Sequence, residues 1–184
     1  MEPVYISGHS AWVENIPFAF DLVKMVKPAI IVELGVHYGD SYFAFCQAVK
    51  EFNIKTTCYG FDMFEGDDLT GYYGGEVFQK VYKYNLDNYH EFSVIIKGTF
   101  DNALLHIKDN SIDILHIDGC HYYGDIKHDF ETWLPKVKKG GIILLHDTKV
   151  RKERYGVWKF WKEIKDRFKY KEFDNQYGLG VLYV

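Results

Sequence analysis

Val32-Glu-Leu-Gly-Val-His-Tyr-Gly-Asp-Ser41 decides how this chain is read. Ala29–Leu34 is an apolar run of strand length, broken only by Glu33. Gly35 and Gly39 then mark a tight turn, and Ser41 can cap the helix that follows. Glycines there let backbone approach a ligand. The spacing is not G-x-G-x-x-G, because the second glycine comes four residues later, so a dinucleotide fingerprint does not apply. Taken alone, the stretch also fits an ordinary tight strand-to-helix turn.

The same pattern recurs downstream. Strands are predicted at Thr57–Phe61, Phe92–Lys97, Ile112–Ile117 and Ile142–Leu145. Helices are predicted after Pro17, with Phe18, Leu22, Met25 and Val26 on one stripe, and then at Ser41–Phe52, Glu76–Tyr84, Phe100–Ile107, Asp125–Leu134 and Tyr155–Phe168. The last helix places Trp158, Trp161, Ile164 and Phe168 on one face. Tyr170–Phe173 and Leu179–Val184 read as a hairpin across Asp174–Gly178. Strands alternating with helices call for an α/β, Rossmann-like, doubly wound and mostly parallel sheet of seven strands, with a C-terminal antiparallel hairpin and a reversed strand at one edge. Residues 1–184 form one domain, and residues 1–28 are a helical segment expected to pack on or over the site.

Composition narrows the function. The chain has 184 residues and a net charge of −4, which gives no electrostatic footprint for nucleic acid. Basic clusters at Lys136–Lys139 and Lys149–Arg154 fit a solvated surface or contact with an anionic ligand. No apolar run reaches the roughly 20 residues of a membrane helix. Met1–Tyr5 lacks the basic and apolar regions of a leader peptide. Cys46, Cys58 and Cys120 are odd in number and lack CxxC spacing, as expected of reduced thiols in a cytoplasmic protein.

Acidic residues close four of the strands: Glu33, Asp62, Asp118 and Asp147. In an open α/β sheet these ends border the ligand crevice. Asp62 offers only acceptors and suits the paired hydroxyls of a nucleoside ribose. An aspartate opening a turn can also be purely structural. Asp118, His146 and Asp147 can converge on a divalent ion. His121, in the loop after Asp118, can act as general base. His116 alternates into the strand interior and reads as a core histidine. His37, in the glycine turn, is placed to touch a ligand.

These residues resemble class I S-adenosylmethionine-dependent methyltransferases, and in particular the methyltransferase family 24 type. Val32–Gly39 looks like the first motif of that family. Tyr59-Gly-Phe-Asp-Met-Phe-Glu-Gly-Asp67 looks like its ribose-binding turn, and His116–Pro135 with Gly140–Thr148 is the most specific stretch. The resemblance implies that Glu33, Gly35 and Gly39 line the methionine part of the cofactor, with His37 and Ser41 beside them. It implies Asp62 on the ribose, and Met63, Thr99 and Phe100 around the adenine, with Asp118 also bordering the cofactor. It implies magnesium on Asp118 and Asp147, although His146 stands where relatives often carry an acid. Leu69-Thr70 departs from the expected polar loop.

The expected reaction is transfer of the sulfonium methyl group to a sugar or glycan hydroxyl, in polysaccharide biosynthesis. His121, Asp118 and Asp147 are its catalytic group. Tyr72, Tyr73 and Trp12 are candidate sugar-facing aromatics. The acceptor pocket can be completed by the segment around His9–Trp12 or by a second subunit, as in a homodimer. A glycosyltransferase is the other partner implied, and a non-catalytic domain binding that partner is the alternative reading.

Overall fold

A computed structural model of the chain describes residues 2–184; Met1 lies outside the described residues. The chain opens with an extended stretch and a short 3-10 turn. Helix α1 (Ile16–Val26) follows, with Pro17 in its first turn. Strand β1 (Ile30–Leu34), helix α2 (Asp40–Glu51) and strand β2 (Thr57–Asp62) come next. A small ribbon, β3 (Gly66–Asp67) and β4 (Gly71–Tyr72), precedes α3 (Gly75–Tyr89), β5 (Ser93–Lys97) and the single turn α4 (Phe100–Ala103). The chain then runs through β6 (Ile112–Ile117), α5 (Tyr123–Trp133), β7 (Val137–His146), α6 (Val157–Ile164), β8 (Lys169–Phe173) and β9 (Leu179–Tyr183).

The main sheet has seven strands in the order β5-β2-β1-β6-β7-β9-β8. All neighbours are parallel except β9, which runs antiparallel to β7 and β8. The reversed strand therefore lies inside the sheet rather than at its rim, because the hairpin folds back so that β9 pairs with β7. The order reverses between β1 and β6, where the chain leaves one half of the sheet for the other. Ligand crevices form at such a switch point.

Two apolar layers cover the sheet. One lies under α1, α2 and α3 and includes Phe20, Phe43, Phe45 and Val81. The other lies under α5 and α6 and includes Phe130, Trp133, Phe160 and Trp161. Burying each such side chain contributes about 1.5–3 kcal/mol. Two helical stripes are rotated from expectation. In α1 the buried residues are Ile16, Ala19, Phe20, Leu22 and Val23, while Met25 is exposed. The inward face of α6 is Val157, Phe160, Trp161 and Ile164, and Trp158 instead carries the Arg151 guanidinium on its ring, 4.3 Å from the centroid.

Candidate active site

The carboxyl ends of β1, β2, β6 and β7 meet at one edge, and the backbone is bent sharply there. Gly35 has φ +94°, and a Cβ on it would lie 2.1 Å from the backbone oxygen of Asp118, so glycine is required where these ends approach. Three non-glycine residues just past strand ends are also left-handed: His37 (φ 50°), Phe64 (φ 53°) and Asp147 (φ 61°). Such conformations cost of order 1–3 kcal/mol each and persist only where surroundings hold them. Asp62 supplies two of the restraints. Its Oδ2 accepts from the His37 amide at 2.7 Å and its Oδ1 from the Phe64 amide at 2.6 Å.

A cavity of about 660 Å³ opens over this edge, within the range of roughly 300–1,000 Å³ typical of small-molecule sites. Gly35, His37, Asp62, Met63, Thr99, Phe100, Asp118, His121, His146 and Asp147 all line it. Burial favours the neutral imidazole of His37 and lowers its pKa. Burial likewise raises the carboxyl of Asp62, against the hydrogen bonds from the His37 and Phe64 amides. Thr99 both lines the cavity and caps α4, its Oγ1 accepting from the Asn102 amide.

Glu33, Gly39 and Ser41 do not line the cavity. Glu33 is one residue short of the strand end, and its side chain turns under the sheet, fully buried. Ser41 Oγ donates to Glu33 Oε1, so this serine serves the glutamate rather than the helix, whose N-cap is Gly39. His116, paired with Glu33 in strand register, places Nδ1 3.5 Å from Glu33 Oε2. Trp12 Nε1 donates to His116 Nε2 at 3.1 Å, which leaves the ring hydrogen on Nδ1, toward the glutamate. Burial raises the Glu33 carboxyl.

Trp12 is therefore a core residue, 1% exposed, and not a sugar-facing aromatic. Tyr72 stands out in solvent on β4 and also misses the cavity, whereas Tyr73 lines it.

A cluster of titratable side chains closes around His121. Its Nε2 lies 2.8 Å from Asp147 Oδ2 and 3.7 Å from Asp118 Oδ1. Ligand atoms of Asp118, His121 and Asp147 fall within 4.8 Å of one another. The three-donor set thus contains His121 where His146 was expected. His146, the last residue of β7, lines the cavity and places its Nδ1 3.3 Å from both Asp118 Oδ1 and Asp147 Oδ1.

Charge is balanced tightly here. Burial opposes the imidazolium of His121, but its hydrogen bonds to Asp118 and Asp147 and their charges prevail and push its pKa up to about 10. Burial also works against the Asp118 carboxylate, yet His146 and His121 hold it well below the usual range. The two carboxylates therefore favour the imidazolium form of His121. His121 Nδ1, His146 Nε2 and Asp147 Oδ1 are buried without a hydrogen-bond partner. The two carboxylates, with Asp147 Oδ1 left unmatched, fit a divalent cation.

The remaining walls come from segments that carry no motif. His9, Ser10 and Ala11 line the cavity from the N-terminal stretch, where Ser7 binds Asp40 through its amide and its hydroxyl. The β3–β4 ribbon contributes Gly66 and Asp67, and it is tied across the mouth by Asp68, which accepts from Tyr122 Oη and Arg154 Nη1. Lys152, Tyr155 and Tyr177 complete the rim. In the sequence Lys152 is marked only by the basic cluster Lys149–Arg154, and the two tyrosines only by an aromatic content of 18%, which does not say which rings face outward.

Asp129, on the α5 wall, is 7% exposed. Burial pushes its pKa up to about 7, against the charge of neighbouring His128. Between the unfolded value near 4 and pH 7 the native state keeps a proton that the unfolded chain releases, so stability falls as pH rises through that window. Asp129→Asn is expected to raise stability at pH 8 by about 1–3 kcal/mol, at roughly 1.4 kcal/mol per pKa unit, and to leave it unchanged near pH 3. Urea unfolding at the two pH values checks this; an equal effect at both would contradict it.

Comparison with known proteins agrees with this architecture. The family model described as "Methyltransferase domain" matches residues 32–148. An uncharacterized protein of Sinorhizobium fredii is 43% identical over 182 residues, covering 99% of this chain and 20% of the relative. An uncharacterized protein of Acanthamoeba polyphaga mimivirus is 41% identical over 56 residues, 29% of this chain and 25% of the relative. The chain thus spans a fifth to a quarter of the length of these curated relatives.

Among solved structures, the O-methyltransferase TomG of Streptomyces achromogenes, in complex with S-adenosylmethionine, superposes with a TM-score of 0.70 at 12% identity, covering 97% of this chain and 83% of that one. The Podospora anserina methyltransferase PaMTH1, bound to S-adenosylhomocysteine, gives 0.71 at 14% identity, with coverages of 93% and 78%. At these identities the likeness is one of fold, the class I Rossmann-like methyltransferase sheet. With the family's matched stretch running from β1 through the Asp147 turn, the chain belongs to the methyltransferase-domain family.

Proposed function

We propose that the chain binds S-adenosylmethionine across the switch point and transfers its methyl group to a hydroxyl of a sugar or glycan. The observation that carries this reading is Asp62. Its carboxylate borders the cavity at the end of β2, next to the exposed Met63 and opposite Thr99 and Phe100. Each carboxylate oxygen has a second lone pair beyond the amide it already serves, so the pair can accept from both ribose hydroxyls. The adenine then lies between Met63 and Phe100, and the methionine part passes over Gly35 and His37. Glu33, Gly39 and Ser41 support the turn from beneath.

In the reaction the acceptor oxygen forms a bond to the methyl carbon as the sulfur–methyl bond breaks, and that electron pair stays on sulfur. Positioning dominates catalysis here, with the oxygen held roughly 3–3.5 Å from the carbon and in line. Asp118 and Asp147 would hold a divalent cation, with His146 fixing both carboxylates. Such an ion, when bound, lowers the pKa of a hydroxyl and takes up the carboxylate charge that otherwise keeps His121 protonated. His121 orients the hydroxyl and takes its proton at Nε2, beside Asp147. Tyr73, which lines the cavity, offers a ring to a sugar.

Methyl transfer from labelled S-adenosylmethionine to glycan acceptors tests the reading. The expected result is an O-methyl ether, lost on exhaustive chelation and restored by magnesium or manganese. Full activity after chelation would remove the ion. Tight S-adenosylhomocysteine binding without transfer to any glycan would favour a non-catalytic binding domain.

A further inference from the structure

One cation in the cavity wall is not consumed by the protein itself. Lys152 is the single lysine or arginine among the described lining residues, in a wall that also carries seven aspartates. In the same loop Lys149 is paired with Asp174 and Arg154 with Asp68, while Arg151 lies over Trp158 and does not line the cavity. Lys152 has no carboxylate within 4.0 Å among the described residues, so it does not serve to neutralise the acidic wall. Its Nζ is instead held between two rings, 5.7 Å from the centroids of both Tyr155 and Tyr177. Ring faces attract an ammonium and steady it without quenching its charge.

Tyr155 stacks on His121, with ring centroids 5.1 Å apart and planes 30° from parallel. A continuous column therefore runs from the catalytic histidine through Tyr155 and Lys152 to Tyr177 at the mouth. Its inner end is acidic and its outer end carries one positive charge, with the Tyr155 ring between them.

We infer that Lys152 is a specificity-determining residue that reads an oxyanion on the acceptor, the carboxylate of a uronic acid or a phosphate on a sugar, while the hydroxyl to be methylated lies at His121. This rests on the methyltransferase reading above. Lys152 is exposed and its ammonium is hydrated in the free site; a neutral sugar gains only an ordinary hydrogen bond from it, whereas an oxyanion gains the stronger charge-assisted kind.

The test uses the full chain loaded with S-adenosylhomocysteine and titrated, by nuclear magnetic resonance, with cellobiose, cellobiouronic acid and cellobiose 6-phosphate. The wild type is expected to bind one or both anionic ligands at least about tenfold more tightly than cellobiose. The two anionic arms separate carboxylate from phosphate. Lys152→Met should bring the anionic ligands to parity with cellobiose, Lys152→Arg should keep most of the preference, and both should bind S-adenosylhomocysteine as the wild type does. Parity in the wild type, absence of binding by all three sugars, or a preference that survives Lys152→Met would overturn the inference. Failure of the chain to take up S-adenosylhomocysteine would instead strike the methyltransferase reading beneath it.

Discussion

Asp62→Ala is expected to weaken S-adenosylhomocysteine binding by roughly 30- to 1,000-fold, measured by titration calorimetry. The figure follows from losing two hydrogen bonds to a charged group, each worth about 1.5–3 kcal/mol, after some allowance for non-additivity. The same carboxylate caps the amides of His37 and Phe64 at their left-handed turns, so the variant should also melt a few degrees lower. Titration below that melting point separates the two effects. A variant that folds and binds as tightly as the wild type would contradict the assignment.

His121→Ala should do the reverse. The ring contributes no contact to the expected adenosyl subsite and lies instead at the Asp118–Asp147 cluster. Turnover should fall about 10²–10⁴-fold, the usual worth of a positioned acid–base group, while S-adenosylhomocysteine affinity stays within roughly threefold. Near-normal turnover, or loss of cofactor binding in a folded variant, would refute the role.

The parallel sheet could be read from the chain because each strand is a short apolar run stopped by glycine or an acid, and buried parallel strands leave that trace. Asp62, Asp118 and Asp147 could be located for the same reason, since a residue just past a strand end has few places to go. Errors arose where side-chain direction, rather than position along the chain, decides the outcome. Glu33 and Asp62 both look like strand-end acids, but Glu33 turns into the layer beneath the sheet and meets Ser41 and His116.

His121, expected only as a base, is the imidazole in the cluster with Asp118 and Asp147, while His146, the expected metal ligand, turns Nδ1 to both carboxylates. Trp12 plugs the core instead of facing a sugar, because its indole is matched by His116, far away in sequence, a pairing the local sequence does not show. Tyr155 and Tyr177 were missed because nothing local distinguishes a rim tyrosine from the other aromatics in this chain. The reversed position of β9 depended on long-range pairing, which periodicity does not encode.

A crystal structure of the chain soaked with S-adenosylhomocysteine bears most directly on whether a nucleoside is what the bent strand ends were shaped to hold. The expected density places both ribose hydroxyls within about 3.2 Å of the Asp62 carboxylate, with the thioether sulfur above Gly35. An adenosyl group bound elsewhere, or one in this cavity whose ribose never touches Asp62, would contradict the account.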